Sequence, residues 1–414
     1  PAVNRACELV ELLGAGEVMD GIIDVLNYVP EAVQLPLEPE RINALLGTDI
    51  SEADMIEYLR REEVPVVDGM IQVPSWRPDL RCMADIAEEV ARYYGYNRIA
   101  TTAMRGTTTI GGYTDAEALE NKACAAARAL GYSEIITYSF VSPTVFDNIR
   151  LPKDTPLRNA IRIINPLGED TSIMRTVILP SMLDILARNH AYKNKGVKLY
   201  EMGRIYLPVE GRDLPDEPKR LIFGTYGEHE DFFSMKGEID ALLAALNVPA
   251  ATYVRSSDDP SYHPGRCAEL RIGGQKVGVL GQIHPLVAAN YGVDTEFYTA
   301  ELQLGEMLAE RGATPVYTPL PRFPAVTRDV AVVCSADIPV AKLSQCILAA
   351  GGQYLKGCEL FDVYTGAPIP AGYKSVAFSL TLRADDQTLT DDHAEETMQS
   401  VLKALEETFH ATIR

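Results

Sequence analysis

The chain has 414 residues, 47% of them hydrophobic and 23% charged, and carries a net charge of −20. That length exceeds what one compact core holds, so two to four domains are expected. The composition excludes a disordered chain, no run reaches the ~18–20 apolar residues of a membrane span, and the acidic balance argues against a general polyanion binder.

The chain starts at Pro1 with neither an initiator Met nor a signal-peptide pattern, which reads as a start part-way through a longer protein. Residues 4–13 place Ala6, Leu9, Val10 and Leu13 at helical spacing before a Gly14-Ala15-Gly16 stop, and Gly21–Leu26 reads as a strand. Residues 1–32 thus look like the exit of a preceding domain. Within 33–104, Pro39–Gly47 predicts a short helix and Ser51-Glu52-Ala53-Asp54 starts a second through a capping-box-like pattern. Asp68-Gly69 turns a hairpin. The segment SWRPDLRCMADIAEEVARYYGY (75–96) supplies a third helix, and the set resembles a winged or helix-turn-helix-like module.

Residues 105–312 predict helices over Ala116–Leu130 and Pro180–Arg188 and strands over Glu134–Phe140, Ile161–Ile164 and Lys198–Glu201. This is an α+β arrangement with a mostly antiparallel sheet. The Pro-bearing run 314–329 reads as a linker. Residues 320–414 read β-α-β-β-α-β, a ferredoxin-like order, over Asp329–Cys334, Val340–Ala349, Cys358–Tyr364, Ser375–Arg383, Ala394–Phe409 and Ala411–Arg414. Seven scattered cysteines with no CxxC pair fit neither a zinc site nor a disulfide framework, and point to a reducing cytoplasm.

Two residue sets carry candidate chemistry. The first is Asp79, Asp85, Glu88 and Glu89, four carboxylates within eleven positions. On a helix, Asp85, Glu88, Glu89 and Arg92 share one face while Ile86, Val90 and Tyr93 occupy another. One reading is a solvated stripe, with Glu88 or Glu89 paired to Arg92 and Asp79 capping the helix. The other is a Mg²⁺ site, because a hard dication with oxygen ligands relieves carboxylate repulsion.

The second set is Asp362, Tyr364 and Ser375, expected on one open sheet face with Phe361 and Val363 on the opposite side. A Tyr ring can stack on an unpaired base, while Asp and Ser offer an acceptor and a hydroxyl to a base edge. The alternative is an ordinary polar sheet face. Arg328 and Arg383 are candidate phosphate contacts. His263 and His284 lack partners at ligand spacing and read as turn and interface residues.

Several stretches in order, among them SWRPDL…DIAEEVARYYGYNRI (75–99), ALGYSEIITYSFVSP (129–143), INPLGEDTSIMRTVILPSML (164–183), LYEMGRIY (199–206), PRFPAVTRDVAVV (321–333) and LFDVYTGAPIPAGYKSVAFSLTLRADDQTLTD (360–391), resemble the β subunits of bacterial phenylalanyl-tRNA synthetases. The resemblance covers essentially the whole chain and corresponds to roughly the C-terminal half of that subunit. It implies an (αβ)₂ heterotetramer whose α subunit holds the phenylalanine and ATP sites, with tRNA(Phe) as partner and neither membrane nor DNA. It also implies a class II synthetase-like core without chemistry, and magnesium at Asp79, Asp85, Glu88 and Glu89 near the α contact. The first anticodon base, a guanine, would be read at Asp362, Tyr364 and Ser375. The helix Ala116–Leu130 would lie at α–β packing.

The residues agree on the missing chemistry. Leu199-Tyr200-Glu201-Met202-Gly203 lacks an Arg-x-Glu pair, and Gly278-Val279-Leu280-Gly281-Gln282 is followed by no arginine to clamp phosphates. The resemblance also implies that the family's N-terminal tRNA-binding and editing regions are absent, save the C-terminal remnant of the editing-type domain in residues 1–32. Two other readings stay open: a stand-alone nucleic-acid-binding protein, distinguished by partner dependence, and an independent class II-like synthetase, distinguished by phenylalanine-dependent pyrophosphate exchange.

Overall fold

The computed structural model describes residues 2–28, 31–312 and 315–414, divided into two units, 1–112 and 113–414. Pro1 and Thr314, the first residue of the expected linker, lie outside the described residues.

In the first unit, α1 (Ala2–Leu12) forms as its periodicity predicts, yet none of its residues is buried. The expected strand Gly21–Leu26 does not form. Its residues are exposed and no described strand pairs with them, so its backbone groups stay with water. Next come β1 (Gln34–Pro36), α2 (Pro39–Leu46), α3 (Glu52–Arg61), β2 (Val66–Val67), β3 (Met70–Gln72) and α4 (Met83–Tyr94), with strand order β1-β3-β2. Asp68 and Gly69 both have positive φ, 49° and 76°, as a two-residue primed turn requires. Ile42, Met55, Leu59, Ile71, Ile86 and Val90 fill the core. Each buried aliphatic side chain stabilises this small module by about 1.5–3 kcal/mol.

The second unit begins with α5 (Asp115–Ala129), β4 (Ser133–Glu134), β5 (Phe140–Val141), α6 (Val145–Asn148), β6 (Ile173–Met174), α7 (Leu179–Ala191), β7 (Val197–Arg204), β8 (Lys219–Tyr226) and α8 (Phe232–Ala245). It continues through β9 (Thr252–Arg255), β10 (Tyr262–Ile272), β11 (Gln275–Ile283), α9 (Pro285–Asn290), β12 (Tyr298–Gln303) and α10 (Leu304–Ala309). One sheet runs β4-β7-β8-β12-β11-β10-β9, antiparallel except at the β4–β7 edge.

Side chains alternate across this sheet. Leu221 and Phe223 join the core with α5 and α8, while Ile222 and Tyr226 join the core with α7. A Cβ on Gly224 would stand 2.6 Å from the Met182 sulfur, so glycine lets α7 close on β8. The predicted strand over Glu134–Phe140 splits between two sheets. That over Ile161–Ile164 reduces to one bridge, Arg162 to Ile173, with Ile164 fully exposed. The Ala-rich helix turns Ala123 and Ala127 inward against its own sheet, so that stripe is already covered.

The last segment forms β13 (Val326–Ser335), α11 (Val340–Ala350), β14 (Leu355–Tyr364), β15 (Tyr373–Leu382), α12 (Asp391–Phe409) and β16 (Thr412–Ile413). Strand order β14-β15-β13-β16, with α11 and α12 over Val332, Phe378 and Leu380, is the expected ferredoxin-like arrangement.

Candidate functional site

The carboxylate segment is organised by an arginine. Cys82, not Asp79, is the N-cap of α4. Asp85 at the third helical position accepts the Arg81 and Cys82 backbone N–H groups at 2.7 and 2.8 Å on Oδ2, which hold its carboxyl below the usual range. Asp79 lies before the helix, where Arg77 donates to it through Nε and Nη2 at 2.7–3.1 Å and lowers it likewise.

The same guanidinium reaches Glu89 at 2.5 Å and Glu62 at 2.9 Å. Glu62 is 5% exposed and Glu89 12%. Arg92 bonds both glutamates. Burial and the adjacent Glu89 carboxylate push the Glu62 carboxyl up. Glu88, on the outer face, is exposed.

Hard oxygen donors are the chemistry magnesium takes, and Asp79, Asp85, Glu88 and Glu89 supply them. In the present arrangement no three His, Cys, Asp or Glu side chains gather around one point among the described residues. Arg77 pairs with both Asp79 and Glu89 in this arrangement. The spacing pointed to Asp85, Glu88 and Glu89 on one helix. It gave no signal for Glu62, which lies 15 residues before Arg77 in sequence and meets it only through the fold.

On the C-terminal sheet, Tyr364 pairs with Ser375 and Asp362 with Ala377, so Asp362, Tyr364 and Ser375 do share a face. They do so through a bulge. Leu360 pairs with Phe378, Phe361 is skipped, and Asp362 pairs with Ala377. The simple alternation along this strand is therefore broken between Leu360 and Asp362. Phe361 and Val363 are exposed rather than packed, because the helices cover only the first half of β14.

Ser375 is 2% exposed, against the expectation of an open position. It sits on a central strand between Tyr364 and Val333, and the Arg414 guanidinium lies 5.6 Å from the Tyr364 ring centroid. Tyr364 donates its hydroxyl to the Ala367 carbonyl at 2.8 Å. Arg328 pairs with Leu380 and so points to the helix side, where it meets Asp391 at 3.2 Å; it does not join the other three. Arg383, just beyond β15, is half-buried, its Nε without a partner. Arg414, the last residue, carried no sequence signal. His284 caps α9 and His263 accepts the Gly265 N–H, the turn roles their sequence predicts.

Three family models match this chain: a tRNA synthetase B5 domain over residues 35–96, the phenylalanyl-tRNA synthetase beta chain CLM domain over 99–304, and a ferredoxin-fold anticodon-binding domain over 321–414. A phenylalanine–tRNA ligase beta subunit of Clostridium tetani is 41% identical over 418 residues, covering all of this chain. The chain belongs to the family of phenylalanine–tRNA ligase beta subunits. Beta subunits of Clostridium acetobutylicum and Moorella thermoacetica align over the whole chain at 39% and 40% identity.

This chain spans about half the length of these curated family members, 53% of each. A crystal structure of pyrrolysyl-tRNA synthetase from Desulfitobacterium hafniense superposes at a TM-score of 0.41 and 13% identity, over 62% of this chain and 88% of that one, too loosely to assign a fold. No helix among the described residues is long and apolar enough to cross a membrane.

Proposed function

We propose that this chain acts as a phenylalanine–tRNA ligase beta subunit. It assembles in the cytoplasm with a catalytic alpha subunit into an (αβ)₂ heterotetramer that joins phenylalanine to tRNA(Phe), with ATP converted to AMP and pyrophosphate on the alpha subunit. The alignment over the whole chain, with three domain matches in order, is the observation that carries this reading. The sheet of 113–312 serves as a class II synthetase-like scaffold. Exposed Ile136, Tyr138, Ile164 and Leu167 support a partner surface there, since apolar side chains of that size gain by leaving water.

In this reading Asp362 accepts hydrogen bonds from the edge of the first anticodon base and Tyr364 offers the stacking platform. Ser375 forms the floor beneath them, and Arg383 lies further along the same strand direction. Arg328, held by Asp391, contacts phosphate only by leaving that pair. Asp79, Asp85, Glu88 and Glu89 are the residues that would hold magnesium, which would supply charge neutralisation and a brace between the entry to α4 and its outer face.

Co-expression with the alpha subunit of the same organism, followed by aminoacylation with and without Asp362→Ala, tests the proposal. A stable complex that charges tRNA(Phe), and loses efficiency with Asp362→Ala, is expected. Failure to form a complex removes the subunit assignment, and undiminished tRNA use by the variant removes the anticodon role of Asp362.

A further inference from the structure

We propose that the cleft on the α7 side of the large sheet, between β8, β11 and β12, binds a small zwitterion with an apolar tail, the class to which apolar α-amino acids belong. The cavity holds about 260 Å³, room for a molecule of that size and below the usual range for larger ligands.

Its polar end is built from two adjacent strands. Arg220 of β8 and Glu301 of β12 stand with Nε and Oε1 3.6 Å apart, too far for a hydrogen bond, and the side chains are only 14% and 20% exposed. Neither makes a hydrogen bond to any other described residue, although a guanidinium carries five N–H donors and a carboxylate about four acceptor positions. Both side chains line the cleft, so a facing pair of opposite charges with this capacity unused can take up a ligand between them.

The charges around the cleft select that ligand's class. Asp259 and Lys276 add one charge of each sign to those of Glu301 and Arg220. Asp259 accepts the Ser261 N–H at 2.9 Å and Lys276 is tied to Glu269 at 2.8 Å. A plain anion meets two carboxylates here and a plain cation meets two cationic groups. A ligand carboxylate on Arg220 and an ammonium on Glu301 satisfy both, with the bidentate geometry an arginine offers. Leu151, Leu179 and Ile205 provide an apolar wall for the tail. Burial also pushes the Glu301 carboxyl up to about 7, a shift that a bound ammonium would reverse.

This inference is independent of the ligase assignment, because the test uses the 414-residue chain alone. Saturation-transfer NMR and thermal shift would compare L-leucine and L-phenylalanine with glycine, isoamylamine and 4-methylpentanoate. Saturable binding of leucine or phenylalanine, at least about tenfold tighter than the three fragments, is expected. Arg220→Gln and Glu301→Gln should each weaken it about tenfold or more. Val279→Phe, which fills the cavity, should abolish binding while circular dichroism stays native. No binding at roughly 10 mM ligand overturns the proposal, as does equal binding of 4-methylpentanoate or unchanged affinity in a folded Arg220→Gln or Val279→Phe protein.

Discussion

Arg175 and Glu201 form a 3.0 Å ion pair in which each side chain is 3% exposed. The pair is closed by further hydrogen bonds. Arg175 also donates to the Arg204 carbonyl and to Thr137, and Thr137 donates to the second Glu201 oxygen. Breaking one side of such a pair strands a charge away from water, whereas removing both leaves an apolar contact. Arg175→Met should therefore cost about 3–5 kcal/mol of unfolding free energy in urea titration. Arg175→Met combined with Glu201→Leu should recover most of that loss. Equal losses in the single and double variants would falsify a charge-based role for the pair.

Arg77 serves as the counter-cation of Asp79, Glu89 and Glu62. Replacing it with Gln leaves the nearly buried Glu62–Glu89 pair with Arg92 alone. We expect a lower melting temperature, equivalent to about 1–3 kcal/mol, and a melting temperature that now rises with added Mg²⁺. The unaltered chain should respond less to Mg²⁺ in the same titration. A variant indifferent to magnesium would argue against those carboxylates as ion ligands.

Glu301 should make stability depend on pH. Its carboxyl is pushed up to about 7 by burial, opposed by Arg220 and Arg175 and reinforced by Asp259. The folded state then binds more protons than the unfolded state between about pH 4.5 and 7, so stability falls as pH rises through that window. Glu301→Gln should remove the slope. It should stabilise the chain at pH 8 by up to roughly 3 kcal/mol and change little at pH 4. Melting curves of both proteins from pH 4 to 8 check the sign directly.

Tyr364 offers a separable test of stacking and hydrogen bonding. Tyr364→Phe removes the hydroxyl donated to Ala367 but keeps the ring, so tRNA binding by the assembled complex should be nearly unchanged. Tyr364→Ala should weaken it by about 1–3 kcal/mol, the worth of one base on an aromatic platform. Equal effects from both substitutions would point to the hydroxyl instead.

Short-range pattern carried much of this architecture. The Asp68-Gly69 turn, the helix through Ile86 and Val90, and the six elements of the C-terminal sheet all follow from local periodicity and turn chemistry. Strands β8 to β12 escaped detail because several are buried on both faces and read as apolar runs without alternation. The strand predicted at Gly21–Leu26 had apolar residues but no partner, and pairing is invisible in a single segment. At the carboxylate cluster, helical spacing located Asp85 and Glu89, whereas Glu62 and Arg77 arrive from other elements. Phe361 is the instructive case on β14. One unpaired residue reversed the face of those before it, and no period-2 count anticipates a bulge.

That bulge also bears on how the sheet stays solitary. β14 is an edge strand, and a straight edge carrying Leu360, Phe361 and Val363 in the open would template the addition of a strand from another molecule. The irregular pairing at Phe361 kinks the edge and breaks the even ladder of amide groups that such templating needs. An edge broken in this way is a poorer template for strand addition, although Leu360, Phe361 and Val363 lie exposed along it.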